Sequence, residues 1–259
     1  MKSKILQSLA IIAFLSGCNN SEYTKYSYVA RQNTKIQLQD SAASSDSQVA
    51  SLLEQKLTKP KYLDIQWYLK DANVPQVSEE ERKILSEITI AVLDTGLAYE
   101  NYEKYKKLSS LEDTVIVPGY DYINHDSHPN DDHQHGTFLT SVIVANDLIR
   151  GVASGVRIMP VKVLDKNSAG TESALTNGIK YAAKNGADII TMGLSFSLNY
   201  KPSYSLRQAI DYAINKGVIL VGTAGNDGKY GVTYPAKFPG LISVGAYERI
   251  KKKGKVQRI

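Results

Sequence analysis

Short, nearly continuous apolar runs punctuate this chain, and between them lie segments whose apolar residues recur at helical spacing. Ile88 to Leu93, Val115 to Pro118, Ile158 to Val163, Ala187 to Met192, Val218 to Gly222 and Leu241 to Val244 read as strands. A strand with one wet face alternates apolar and polar residues, so runs without that alternation predict strands covered on both faces. Leu206, Ala209, Ile210, Ala213 and Ile214 fall at i, i+3, i+4, i+7 and i+8, with serines before and Gly217 after, which predicts a helix with one core face. Ala174, Leu175, Ile179, Ala182 and Ala183, ending at Gly186, repeat the pattern. The alternation predicts an α/β fold in three layers, a mostly parallel sheet flanked by helices. In such sheets ligands bind beyond the carboxyl ends of the strands.

Chemistry is therefore expected at the residues just past each strand. Asp94 ends the first apolar run, in Leu93-Asp94-Thr95-Gly96, and Asn226 lies beyond a later one, in Gly222-Thr223-Ala224-Gly225-Asn226-Asp227-Gly228. His135, in His135-Gly136-Thr137, opens a helical stretch from Thr137 to Ala145, so all three groups can converge on one edge of the sheet. Hydrolysis of a peptide by a hydroxyl needs a base to take its proton, a carboxylate to hold that base in one tautomer, and donors aimed at the developing oxyanion. Taken singly, Asp-Thr-Gly reads as a turn, a histidine at a helix start as a cap, and Ala-Gly-Asn-Asp-Gly as a loop. Only the three in this order point to chemistry.

In that order and context the residues resemble the subtilisin-like serine proteases. The resemblance extends through Val117 to Asn124, Pro129 to Asp132, Tyr234-Pro235-Ala236 and Val244-Gly245-Ala246, and covers about residues 61–259. It implies that Asp94 is the orienting carboxylate, His135 the general base and the Asn226 amide an oxyanion donor. It further implies that Gly170, and Gly193, Leu194 and Ser195, flank a protein or peptide substrate as edge strands, binding it through main-chain hydrogen bonds. No cofactor is required. Phe138 departs from the histidine usual in the family, Gln134 from the glycine before the motif, and Gly193-Leu194-Ser195 from the usual Ser-Leu-Gly. The largest departure concerns the nucleophile. The family's Gly-Thr-Ser-Met has no counterpart here, and the serine after Asn226 is Ser243, inside the run Leu241-Ile242-Ser243-Val244. The expectation is a subtilisin-like domain incomplete at its C-terminus and inactive on its own. The alternative is a non-catalytic envelope lipoprotein that keeps the fold as a peptide-binding or scaffold module.

A second constellation competes for His135. The 4 histidines, His125, His128, His133 and His135, lie among Asp121, Asp126, Asp131 and Asp132. Zinc is conceivable for this set, and calcium on the carboxylates fits better because relatives in the family place calcium near this loop. The spacing lacks a helical period, and Pro129 and Asn130 suit a solvated turn, so an acidic loop without metal is the expectation.

The N-terminus reads separately. Lys2 and Lys4, the apolar run Ile5 to Leu15, and Leu15-Ser16-Gly17-Cys18 resemble a bacterial lipoprotein signal, with residues 1–17 removed and Cys18 carrying lipid. The run is too short to span a bilayer. Cys18 is also the 1 cysteine of the chain, which excludes an intrachain disulfide. Residues 18–60, rich in Ser, Gln and Asn, predict a flexible tether, and residues 61–259 the folded domain. The expected location is the cell envelope, on the extracytoplasmic side of a membrane. Much of the net charge of +5 sits in Lys251, Lys252, Lys253, Lys255 and Arg258. Lys253-Gly254 between two strand-like runs reads as an exposed hairpin turn rather than a nucleic-acid surface.

Overall fold

The computed structural model of the chain describes residues 66–74, 78–146, 149–228 and 231–246, and the backbone of 249–252 and 255–258. Cys18, the predicted leader and the predicted tether lie outside the described residues. Helices α1 (Trp67–Asp71) and α2 (Glu79–Leu85) precede strand β1 (Thr89–Asp94). There follow β2 (Tyr120–Asp121), α3 (His135–Val144), β3 (Arg157–Lys162), α4 (Glu172–Lys184), β4 (Ile189–Met192), α5 (Tyr204–Asn215), β5 (Ile219–Thr223) and β6 (Ile242–Val244). These strands form one sheet in the order β2-β3-β1-β4-β5-β6, every neighbouring pair parallel. A separate antiparallel pair, β7 (Arg249–Lys252) and β8 (Lys255–Arg258), brackets the predicted hairpin turn.

Side chains along a strand point to opposite faces in turn, and the central strand divides its residues accordingly. Ala91 and Leu93 of β1 join Met159 and Val161 of β3 in a core capped by Ala174, Leu175, Ile179 and Ala182 of α4 and Leu206, Ala209, Ile210 and Ala213 of α5. Ile90 and Val92 face the other way, with Ile158, into a second core that holds Ile143 and Val144 of α3. Two cores on one sheet make the three layers. The helices start where their sequence stops them fraying: the Thr171 hydroxyl accepts from the Ala174 N–H at the start of α4, and the Ser203 hydroxyl from the Leu206 N–H at the start of α5. Among the described residues, no helix is long and apolar enough to cross a membrane.

One expected strand is absent. Val115 to Pro118 forms only an isolated bridge, Ile116 to Ile158, and the edge strand is instead Tyr120–Asp121. Pro118 has no N–H to extend a ladder. Val115 is 55% exposed, so this segment runs along the margin of the sheet rather than inside it.

Candidate active site

The alternation that fills the two cores also aims Asp94. Ile90, Val92 and Asp94 share a face of β1, and that face is covered by α3, whose first residue is His135. The His135 Nδ1 lies 2.8 Å from Asp94 Oδ1, and the Thr95 N–H donates to the same oxygen at 2.7 Å. Asp94 is fully buried, while the His135 side chain keeps 23% of its surface. A carboxylate only accepts, so the ring proton belongs on Nδ1 and leaves Nε2 as the basic nitrogen. Asp94 Oδ2 is buried without a hydrogen-bond partner and faces Gly193.

Two glycines make this approach sterically feasible. A Cβ on Gly136 would stand 2.2 Å from the Gly96 carbonyl oxygen and 3.2 Å from Asp94 Cβ. One on Gly193 would stand 2.6 Å from Asp94 Oδ2 and 3.3 Å from His135 Cε1. Any side chain at either position would push the base and the carboxylate apart.

The loop leading into α3 is organised by Asp131. Its Oδ1 accepts from the backbone N–H of His133 and of Gln134, each at 2.9 Å, and from the Thr95 hydroxyl at 2.9 Å. Its Oδ2 accepts from the Thr137 N–H at 2.9 Å and the Thr137 hydroxyl at 2.6 Å. Gln134, at φ 95, makes no side-chain cap, so Asp131 satisfies the orphan donors at the start of α3 in its place. Burial pushes the Asp131 carboxyl up, but the hydrogen bonds from Thr137, Gln134 and His133 together outweigh it and hold the group below the usual aspartate value. Thr95 completes the link, since its hydroxyl also accepts from the Gly136 N–H at 2.9 Å.

The remaining predicted residues occupy the same rim at different places. Gly193, Leu194 and Ser195 continue directly from β4, the strand beside β1; Leu194 packs against the α4 and α5 core and Ser195 is exposed. Gly170 lies between β3 and α4, where a Cβ would meet the Val163 carbonyl oxygen at 2.3 Å. Asn226 is exposed, three residues past the end of β5, which is two strands from β1 across β4. Ser243 sits in β6, in register with Gly222.

The histidine and aspartate constellation is used for loop structure. Asp121 Oδ1 accepts from the N–H of Ile123 and Asn124 at 2.7 and 2.8 Å, and Asp126 Oδ1 from the His128 N–H at 2.8 Å. His128 pairs with Glu100 at 3.0 Å and stacks on Tyr102 with ring centres 3.9 Å apart. His133 Nε2 lies 3.0 Å from the Ser168 hydroxyl. Among the described residues, no group of three or more His, Cys, Asp or Glu side chains is arranged to hold a metal ion.

Sequence reasoning misses Lys162. This residue ends β3 in register with Asp94, is fully buried, and its Nζ donates to the Thr95 carbonyl at 2.5 Å and to Asp132 Oδ1 at 2.6 Å. The available signal is a lone cation inside the apolar run Ile158 to Val163.

Comparison with known proteins gives a consistent result. A family model, described as the Subtilase family, matches residues 86–257. The chain is 34% identical over 164 residues to a thermophilic serine proteinase of Bacillus sp. (strain AK1), covering 62% of this chain and 38% of that protein. It is 33% identical over 173 residues to subtilisin DY of Bacillus licheniformis, covering 64% and 58%. It is 34% identical over 164 residues to thermitase of Thermoactinomyces vulgaris, covering 62% and 55%. Among solved structures, sphericase superposes with a TM-score of 0.56 at 28% identity, covering 68% of this chain and 58% of that one. The matched part thus spans between 38% and 58% of these proteins' own lengths.

Proposed function

This chain belongs to the subtilase family, and from that membership we propose that its residues supply the proton-transfer and oxyanion-stabilising parts of a serine-type endopeptidase acting on protein or peptide substrates. His135 takes the proton of the attacking serine hydroxyl on Nε2 and returns it to the leaving amine. Asp94 holds the ring in the tautomer that makes this direction work and stabilises the imidazolium that forms. The Asn226 amide donates to the oxyanion, a contribution on the order of 10²–10³ in rate for such a donor. Gly170 and the segment Gly193–Ser195 bind the substrate backbone. No cofactor takes part in this chemistry.

The observation that carries the reading is the 2.8 Å contact between His135 Nδ1 and the buried Asp94 carboxylate at the carboxyl rim of a parallel sheet. Residues 227–259 offer only Ser243 as a hydroxyl of the right type, and it lies within β6 rather than at a sharp turn. We therefore expect these 259 residues by themselves to leave a fluorophosphonate probe unreacted; stoichiometric labelling would overturn that assignment. Joined to a segment bearing Gly-Thr-Ser, the chain should label and hydrolyse casein, and both activities should vanish in His135→Ala. Labelling at the wild-type rate in His135→Ala would refute the role of the base.

We further propose a place in the cell. Residues 1–17 act as a lipoprotein signal, Cys18 carries the lipid, residues 18–60 tether the domain of residues 61–259, and the protein sits on the extracytoplasmic side of a membrane. Lys2, Lys4, the short apolar run and Leu15-Ser16-Gly17-Cys18 support this reading.

A further inference from the structure

We propose that Lys162 is a positioning residue for the Asp94–His135 pair, a single buried cation that fixes the carboxylate's turn and the histidine's loop against each other. The inference rests on the pairing of Asp94 with His135 in the proposed function.

Its two contacts fall on the two segments that deliver the pair. One is the carbonyl of Thr95, the residue next after Asp94, whose N–H holds Asp94 Oδ1. The other is the carboxylate of Asp132, three residues before His135 and next to Asp131, which caps α3. Both strands are locked at this level: the N–H groups of Val163 and Leu164 donate to the Asp94 carbonyl at 2.9 and 3.1 Å. Ile158 shares the α3 face with Ile90, and the period of two carries Lys162 to that same face as Asp94. The cation, fully buried, therefore reaches the loops from beneath.

Stability alone is a poor reason for this arrangement. Burying an ammonium carries a desolvation penalty that its ion pair often fails to recover, and an apolar side chain of similar length would bury equally well. What an apolar side chain could not do is hold a carbonyl and a carboxylate from separate loops at one point. Asp131 fixes the helix start and Lys162 fixes where that start sits relative to β1.

The test reads the pair directly. In the full chain, proton NMR tracks solvent exchange of the His135 Nδ1 proton, with the His128 Nδ1 proton beside Glu100 as an internal reference. In Lys162→Met the His135 proton should exchange about tenfold faster, corresponding to about 1.4 kcal/mol, with the His128 proton unchanged. Unchanged exchange at His135 in a folded Lys162→Met protein overturns the proposal, and so does equal acceleration at both histidines, the mark of general loosening. If circular dichroism shows Lys162→Met unfolded, Asp132→Asn breaks the same ion pair from its partly exposed end, and the same two outcomes decide. Failure of the underlying pairing is distinguishable: wild-type protein would then show no protected His135 proton that disappears in Asp94→Asn.

Discussion

Replacing Gly193 by alanine drives a methyl group into the space between the Asp94 carboxylate and α3. The new carbon would stand 2.3 Å from Leu139 Cδ1 and 2.6 Å from Asp94 Oδ2. Carbon contacts settle near about 3.5 Å, so these atoms would have to retreat by about 1.2 and 0.9 Å respectively. Leu139 is buried in α3 and has little room to turn. The carboxylate cannot rotate cheaply either, because Oδ1 is held by the Thr95 N–H at 2.7 Å and by His135 at 2.8 Å. Moving Oδ2 by that amount swings Oδ1 the opposite way and stretches both bonds. Overpacking of a tight interior costs about 1–3 kcal/mol, and with two charge-assisted hydrogen bonds disturbed the upper half of that range applies. Equilibrium urea unfolding of Gly193→Ala should therefore show a loss of about 2–3 kcal/mol. Gly245→Ala, where a Cβ meets nothing within 4 Å, is the matched control and should stay within about 0.5 kcal/mol of wild type. A Gly193→Ala protein no less stable than that control would refute the steric account of the site.

Asp131→Asn keeps one acceptor but removes the oxygen that receives Thr137, so it should cost about 1–2 kcal/mol in urea unfolding; an unchanged midpoint and slope would contradict the capping role. Because the folded-state Asp131 carboxyl is held below the ordinary aspartate value of 3.8, its contribution is complete above that pH and is lost as pH falls through the lower folded-state value. Wild-type stability should consequently fall more steeply than that of Asp131→Asn from about pH 4 downward, and parallel acid profiles would count against the assignment. Cys18→Ser should move the protein from the detergent phase to the aqueous phase in phase separation; unaltered partitioning would rule out the lipid anchor.

The layered sheet was legible because the signals that encode it are local. Runs such as Ile158 to Val163 and the helical spacing of Leu206, Ala209, Ile210 and Ala213 each carry their own element, and the parallel arrangement stems from their alternation. Val115 to Pro118 misled because an apolar run at the margin of a sheet looks like one inside it until a proline is weighed against the ladder it must join. Asp94 and His135 were legible through their motif; their contact adds the geometry. Asp131 was visible only as one carboxylate of an acidic loop; its part in starting the helix at His135 depends on the backbone N–H groups of His133, Gln134 and Thr137, which the fold alone brings to it. Lys162 was illegible for a different reason: its meaning depends on a register between β1 and β3 that no window of sequence contains.

The place of β1 in the sheet also bears on how the chain assembles. This strand is hydrogen-bonded on one edge to β3, with Thr89 opposite Arg157, and on the other to β4, with Ile90 opposite Ile189. Both partners are made later in synthesis, so a nascent chain carries β1 with one edge open until Lys162, and the other until Met192, has left the ribosome. Pairings this distant in sequence close slowly, and an apolar strand waiting for them is exposed to other chains meanwhile. A strand buried along its whole length in the finished molecule is thus one that needs shelter while the molecule is being built.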